Sequence, residues 1–234
     1  FDDDSFAEDL YAVWESDSRK GVVLNDYGRC NDTVDPLDFR RYVYHERFVG
    51  AVDAGTQYTL PDSYKAGYRF LGWRSAQDGQ LYPTGTEITV EQSVTYTAEY
   101  EVLSMTINGK TYRMDRAHGS RSIGWEYRPA FEYGRWSEQV RLDVYENYSG
   151  GPITIPCNVE LIAAGKITGT TGQPAVSVDG NVLIEGYRYR EDDLSLTITG
   201  GTGAPAVRAS GRIYAFPSAV PITFRGGDGQ PALV

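Results

Sequence analysis

Apolar and polar residues alternate along much of this chain, most clearly in its last third. Val176, Val178, Val182 and Ile184 fall two apart within two short runs, and Val207, Ala209, Ile213 and Ala215 repeat that spacing. Leu194, Leu196 and Ile198 then match Val220, Ile222 and Phe224. A period of two marks a β-strand with one buried face, so each unit predicts short strands separated by Gly-containing turns. Nearer the N-terminus, Tyr68, Phe70 and, beyond a break at Gly72, Trp73 predict a strand with an aromatic face. Asp78-Gly79 predicts a turn. Ile88 and Val90, then Val94, Tyr96 and Ala98, predict two further strands. The one helical candidate is Pro36–Val43, with Asp35 as its cap.

The strands of the last third are punctuated by one recurring phrase, glycines followed by x-Pro-Ala-aliphatic. Gly172, Gly203 and Gly229 align, as do Pro174, Pro205 and Pro231, Ala175, Ala206 and Ala232, and Val176, Val207 and Leu233. The two intervals differ by an insertion around Glu185–Asp193. Repeats of this length with short alternating strands predict a solenoid, in which stacked units bury one continuous core. Gly supplies φ > 0 at each corner and Pro presets the following turn. A β-sandwich with similar turns is the alternative.

Composition agrees with an all-β chain. Of 234 residues, 26 are Gly and 18 Tyr, against 2 Met. No stretch approaches the ~20 apolar residues that cross a bilayer, so no membrane insertion is expected. The formal net charge is -10, which argues against nucleic acid as a partner. Cys30 and Cys157 match no metal spacing and read as two free thiols or one disulfide. The chain opens on Phe1 and both ends cut through repeats, so it is read as a piece of a longer protein.

Two resemblances sharpen this picture. VVLNDYG at Val22, YTLP at Tyr58–Pro61, GYRFLGW at Gly67–Trp73 and TYTAEY at Thr95–Tyr100 resemble the internalin-type B repeat, or Listeria–Bacteroides repeat. The resemblance implies a small β-grasp-like module over residues 16–101. DLYAVW at Asp9–Trp14 resembles the closing strand of a preceding repeat, residues 1–15. Departures are Tyr100 in place of a final Trp and a long insertion at 29–48. Over residues 102–234, Gly124, Trp125 and Tyr127, then Leu142, Val144, Tyr148, Gly151 and Ile153, then the repeats, resemble surface proteins of gut Gram-positive bacteria. That resemblance implies a β-hairpin cap leading into a right-handed parallel β-helix in a secreted protein, in a family sometimes described as carbohydrate-binding.

Candidate chemistry is sparse. His45 and His118 have no partner at ligand spacing, so no metal site is expected, and no nucleophile elbow or phosphate loop is present. Glu191, Asp192 and Asp193, beside Arg188 and Arg190, read as a solvated loop. The binding candidates are Arg128, Tyr133, Arg135 and Trp136 in the inserted hairpin, and Tyr187 and Tyr189 in the solenoid insertion. Exposed Tyr, Trp and Arg are what interface hot spots use. The competing role for Phe131–Trp136 is to pack against the other insertion and cap the solenoid. Trp125, Tyr127, Trp73 and Tyr68 are read as core.

The expectation is an all-β, monomeric, non-enzymatic fragment of an extracellular bacterial surface protein, without cofactor. It acts as an adhesin that holds a glycan or a host or bacterial surface protein. The alternatives are an inert spacer and, less favoured, a polysaccharide-degrading β-helix enzyme.

Overall fold

The computed structural model describes residues 19–26, 42–43, 46–132, 135–137 and 139–234. The described chain is all-β, and its one helical turn is a 3-10 turn at Arg121–Ile123. Of the helical candidate at Pro36–Val43, only Tyr42–Val43 is described, and it is a strand. DLYAVW, Cys30 and His45 lie outside the described residues. Two compact units emerge. One takes in Arg47–Asp62 and Gly72–Glu99 with the strand Arg19–Asp26; the other takes in Ser63–Leu71 and Tyr100–Val234. The sequence-based division lay between residues 101 and 102.

In the first unit, Arg19–Asp26 pairs in parallel with Val94–Val102, from Val22↔Val94 to Asn25↔Thr97. These two lie inside a sheet ordered Glu46–Asp53, Arg19–Asp26, Val94–Val102, Tyr68–Ser75, Leu81–Tyr82. Thr56–Thr59 and Glu87–Val90 form a separate antiparallel pair. The predicted aromatic strand exists, and it runs unbroken through Gly72 from Tyr68 to Ser75. Val22, Leu24, Leu60, Trp73, Val90 and Tyr96 form the buried side of this unit. The Trp73 indole Nε1 donates to the Pro61 carbonyl at 2.7 Å, so burying the ring strands no polar atom.

The second unit contains three successive strand triplets. The first is Ile153–Ile155, Val159–Ala163 and Gly165–Thr168. The second is Val176–Val178, Val182–Gly186 and Leu196–Thr199, and the third is Val207–Ala209, Ile213–Phe216 and Ile222–Arg225. Each strand pairs in parallel with its equivalent in the next triplet. The register reproduces the sequence alignment: Val176↔Val207, Val178↔Ala209, Val182↔Ile213, Ile184↔Ala215, Leu196↔Ile222 and Ile198↔Phe224. Leu194 departs from it. It is 72% exposed, outside any strand, whereas Val220 is buried. The inward rows of the second triplet, Val176, Val182, Ile184, Leu196 and Ile198, are essentially without solvent contact.

Two of the three corners have fixed length. Three residues separate the first and second strands in every triplet (156–158, 179–181, 210–212). Seven separate the third strand from the next triplet (169–175, 200–206, 226–232), where Leu233 bridges to Val207 in parallel. The remaining corner holds one, nine and five residues in turn (164, 187–195, 217–221), which locates the insertion read from the sequence.

The fixed corners have physical causes. Gly172, Gly203 and Gly229 adopt φ of 74°, 77° and 79°, a conformation that costs other residues about 1–2 kcal/mol. At Gly201, two positions before Gly203, an added Cβ would lie 1.7 Å from the Thr170 carbonyl oxygen, so the chains meet there backbone to backbone. At the three-residue corner, Asn158 Oδ1 accepts from the Asn181 N–H at 2.8 Å, and Asn181 Oδ1 accepts from the Arg212 N–H at 2.8 Å. Away from that corner, the Lys166 N–H likewise donates to Asn147 Oδ1 at 2.8 Å.

Antiparallel strands precede the triplets. Ser104–Ile107 pairs with Lys110–Arg113 through a turn in which Asn108 and Gly109 both have φ > 0, and it touches Ile153–Ile155 at Thr106↔Thr154. Trp125–Arg128 pairs with Val140–Val144, which begins the parallel ladder through Val159–Ala163. The inserted hairpin, Phe131–Glu132 with Arg135–Ser137, adds Tyr42–Val43 from the N-terminal insertion as a third strand, Trp136 opposite Val43. The two insertions therefore share a sheet. Trp125, Tyr127 and Trp73 are buried and Tyr68 packs partly buried, as expected of core residues.

Candidate functional site

The outer side of the variable corner forms a cleft. Gly186–Leu196 is too long to turn directly between strands, so residues 187–195 stand off the ladder. A space of about 390 Å³ opens there, lined by Tyr145, Glu146, Asn147, Lys166, Arg190 and Asp192, with Asp193, Leu194 and Ser195. Sites for small ligands fall in the ~300–1,000 Å³ range.

The loop is held by specific bonds rather than by its own strands. Asp193 Oδ2 accepts from the backbone N–H groups of Tyr189 at 3.1 Å and Arg190 at 2.9 Å. Arg190 pairs with Glu146, and Arg121 Nη2 donates to the Tyr189 carbonyl at 3.1 Å. The Tyr189 hydroxyl donates to Asp143 Oδ1 at 2.8 Å. The Tyr189 ring meets Tyr145 edge-on at 4.6 Å and Tyr187 at 4.8 Å. Asp143, only 1% exposed, is also gripped by Arg141 through two bonds of 2.8 Å.

The electrostatics follow from this packing. Burial, then the Asp143 charge, pushes the Tyr189 phenol well above its ordinary range. Burial and a hydrogen bond to Glu126 push Tyr145 up to about 12. Both phenols therefore stay protonated as donors well into alkaline solution. The bond to Asp143 keeps Arg141 firmly charged.

The binding residues expected from sequence separate into two groups. Tyr187 and Tyr189 lie in the corner loop beside the cleft, Tyr187 being 44% exposed and Tyr189 half-buried. Arg128 ends the strand Trp125–Arg128 and pairs with Glu126 at 3.4 Å. Arg135 and Trp136 are backbone members of the three-stranded hairpin sheet, and Tyr133 lies outside the described residues. Of the acidic run, Asp193 anchors the loop and Asp192 lines the cleft, so only part of it is a solvated face. Sequence reading missed Tyr145, Glu146, Asn147 and Lys166. Asn147 Oδ1 accepts a backbone N–H as Asn158 and Asn181 do, but at a different corner, so no aligned position in the sequence marks it.

Among the described residues no group of three or more His, Cys, Asp and Glu is placed to hold a metal, and no helix is long and apolar enough to cross a membrane. His118 Nε2 lies 2.7 Å from the Arg113 carbonyl oxygen, with Tyr112 beside its ring. Cys157 is a free, buried thiol. No protein-family model, curated protein or solved structure matches this chain.

Proposed function

We propose that this chain is a ligand-binding module of a secreted or cell-surface bacterial protein, and that a glycan is held in the cleft beside residues 187–195. The observation that carries the reading is the loop itself. It is the longest of the variable corners, and it is fastened by Asp193, Glu146, Arg121 and Asp143 into one shape before any ligand arrives. Preorganisation of this kind lowers the ordering cost of binding. Asp192 and Ser195 offer acceptors for sugar hydroxyls, Asn147 a carboxamide, and exposed Leu194 an apolar surface for a ring face.

The three triplets are then successive coils of a right-handed parallel β-helix, supported by equivalent strands pairing in parallel three times over. The Ser104–Arg113 hairpin and Trp125–Arg128 act as its cap. The parallel central pair of the first unit supports a β-grasp-like repeat. The role is binding rather than catalysis. Asp143 is committed to Arg141 and Tyr189, Glu126 to Tyr145 and Arg128, and Asp193 to backbone amides, so these three carboxylates act as structural anchors.

A glycan array probed with the chain and with Asp192→Ala and Trp136→Ala variants tests this. Saturable binding lost in Asp192→Ala and kept in Trp136→Ala supports the cleft. Loss in Trp136→Ala alone moves the site to the hairpin. No binding to any glycan leaves a protein-binding module or a spacer.

A further inference from the structure

The cleft opens onto the outer face of the sheet formed by Gly165–Thr168, Leu196–Thr199 and Ile222–Arg225. Because Ile167, Leu196 and Ile198 point into the core, the alternate positions point outward. Their register is Lys166↔Thr197↔Thr223 in one row and Thr168↔Thr199↔Arg225 in the next. These six positions hold hydroxyls and cations and no carboxylate, in a chain with 32 acidic residues against 22 basic ones. The outward positions of the neighbouring ladder mix both signs: Arg128, Arg141 and Glu160 in one row, with Asp143 and Glu185 buried beside them.

Lys166 belongs to both the cleft lining and the face, so the two surfaces are continuous. Lys166, Thr223 and Arg225 are exposed, and Lys166 and Arg225 enter no ion pair among the described residues. Lys166 is also fixed at its backbone, by the bond from its N–H to Asn147. Parallel strands lie ~4.8 Å apart, so each row spans about 10 Å across the three strands, long enough to follow several atoms of an extended polymer. A neutral sugar can accept from this ammonium and guanidinium, but the stronger, charge-assisted bond needs an anionic acceptor. An anionic sugar supplies one, and local positive charge draws it past the overall negative field.

We propose that the ligand is a polysaccharide bearing anionic groups. It runs across this sheet face and reaches the cleft only at Lys166, its anionic groups meeting Lys166 and Arg225 while its hydroxyls bond to the threonine rows and, inside the cleft, to Asp192, where the carboxylates of Glu146, Asp192 and Asp193 keep the anionic groups out. The inference rests on the glycan reading above and narrows it to one class.

The test is affinity electrophoresis and titration calorimetry of the whole chain against four polymers: polygalacturonate, its methyl ester, neutral galactan and dextran sulfate. The comparison protein is the double variant Lys166→Gln/Arg225→Gln, with Thr199→Val as a second probe of the face. All three side chains are solvent-facing, so circular dichroism is expected to be unchanged. The expected result is retention by polygalacturonate, loss on esterification, and binding weakened about tenfold in the double variant. Dextran sulfate separates the anion sources: weaker retention than polygalacturonate assigns a carboxylate, and equal retention assigns either anion, both in favour. Equal binding of polygalacturonate, its ester and galactan, or anion binding unchanged in the double variant, overturns the inference and leaves the glycan reading standing. No binding to any of the four, together with a blank glycan array, overturns both.

Discussion

The hydroxyl of Tyr189 donates to Asp143 across 46 residues of chain, joining the middle of the corner loop to a buried carboxylate on the ladder. Arg141 is the charged partner of that carboxylate, and the Tyr189 phenol adds a neutral donor to it. The tyrosine thus finishes the solvation of Asp143 with a protein donor in place of water, while the loop gains a fixed point.

Removing that hydroxyl in Tyr189→Phe is expected to lower unfolding free energy by about 1.5–3 kcal/mol, the usual net value of a hydrogen bond to a charged group. It also frees the loop. Arg188 and Arg190 flank Tyr189, so trypsin is expected to cut there faster in the variant, well below the unfolding transition. Unchanged cleavage rates would mean the loop is held by Arg190–Glu146 and Asp193 alone. Asp143→Ala is expected to be worse than Tyr189→Phe, because it strips Arg141 and Tyr189 of a partner together.

Much of the ladder was legible in the sequence because stacking imposes one requirement repeatedly. Val176↔Val207 and Ile198↔Phe224 pair as the aligned phrases predict. Leu194 misled because a leucine two residues before a strand continues the period of two by eye. Whether it continues in space depends on where the loop ends, and the loop ends at Ser195. The cleft was harder. Tyr145, Glu146 and Asn147 precede the triplets in the chain, while Arg190 and Asp192 fall 40 or more residues later. Only the parallel register brings them together, and nothing local in either stretch carries that information.

The carboxamide chain at the three-residue corner makes a graded prediction. Asn158→Ala leaves the part-buried Asn181 N–H without its acceptor, and is expected to cost about 1–3 kcal/mol. Asn181→Ala exposes the Arg212 N–H at a site water already reaches, and is expected to cost less. Urea denaturation of the two variants measures the order, and a larger loss for Asn181→Ala would contradict this account of the corner.

Two glycines of one phrase are expected to fail for different reasons. Gly203→Ala meets no neighbour within 4 Å and pays only for its φ of 77°, about 1–2 kcal/mol. Gly201→Ala places a methyl 1.7 Å from the Thr170 carbonyl oxygen, which forces the backbones apart. Its loss in chemical denaturation is expected to be several times greater, with reduced soluble yield. Equal losses would mean that the close approach relaxes freely.

Cys157 is buried with its sulfur accepting the Gly67 N–H at 3.2 Å, and burial pushes the thiol up to about 12 from its ordinary value near 9. A thiol raised in the folded state stabilises fully below the unfolded value near 9, and that contribution fades as pH rises through about 12. In a Cys30→Ser background, Cys157 is expected to resist a disulfide reagent at pH 8 until the chain is unfolded. The alkaline loss of stability is expected to be shallower in Cys157→Ala than in its parent. Prompt labelling of the folded chain would place the sulfur in contact with solvent.

The unequal corners carry one more consequence. Three residues and seven residues recur because an asparagine bond and a backbone contact leave no slack. At the third corner one, nine and five residues are all tolerated without shifting a single rung of the ladder. Chain length there is decoupled from register, so residues 187–195 and 217–221 are positions where foreign loops can be exchanged while the frame stays fixed. A library of recognition surfaces can be built at that corner by varying loop sequence alone.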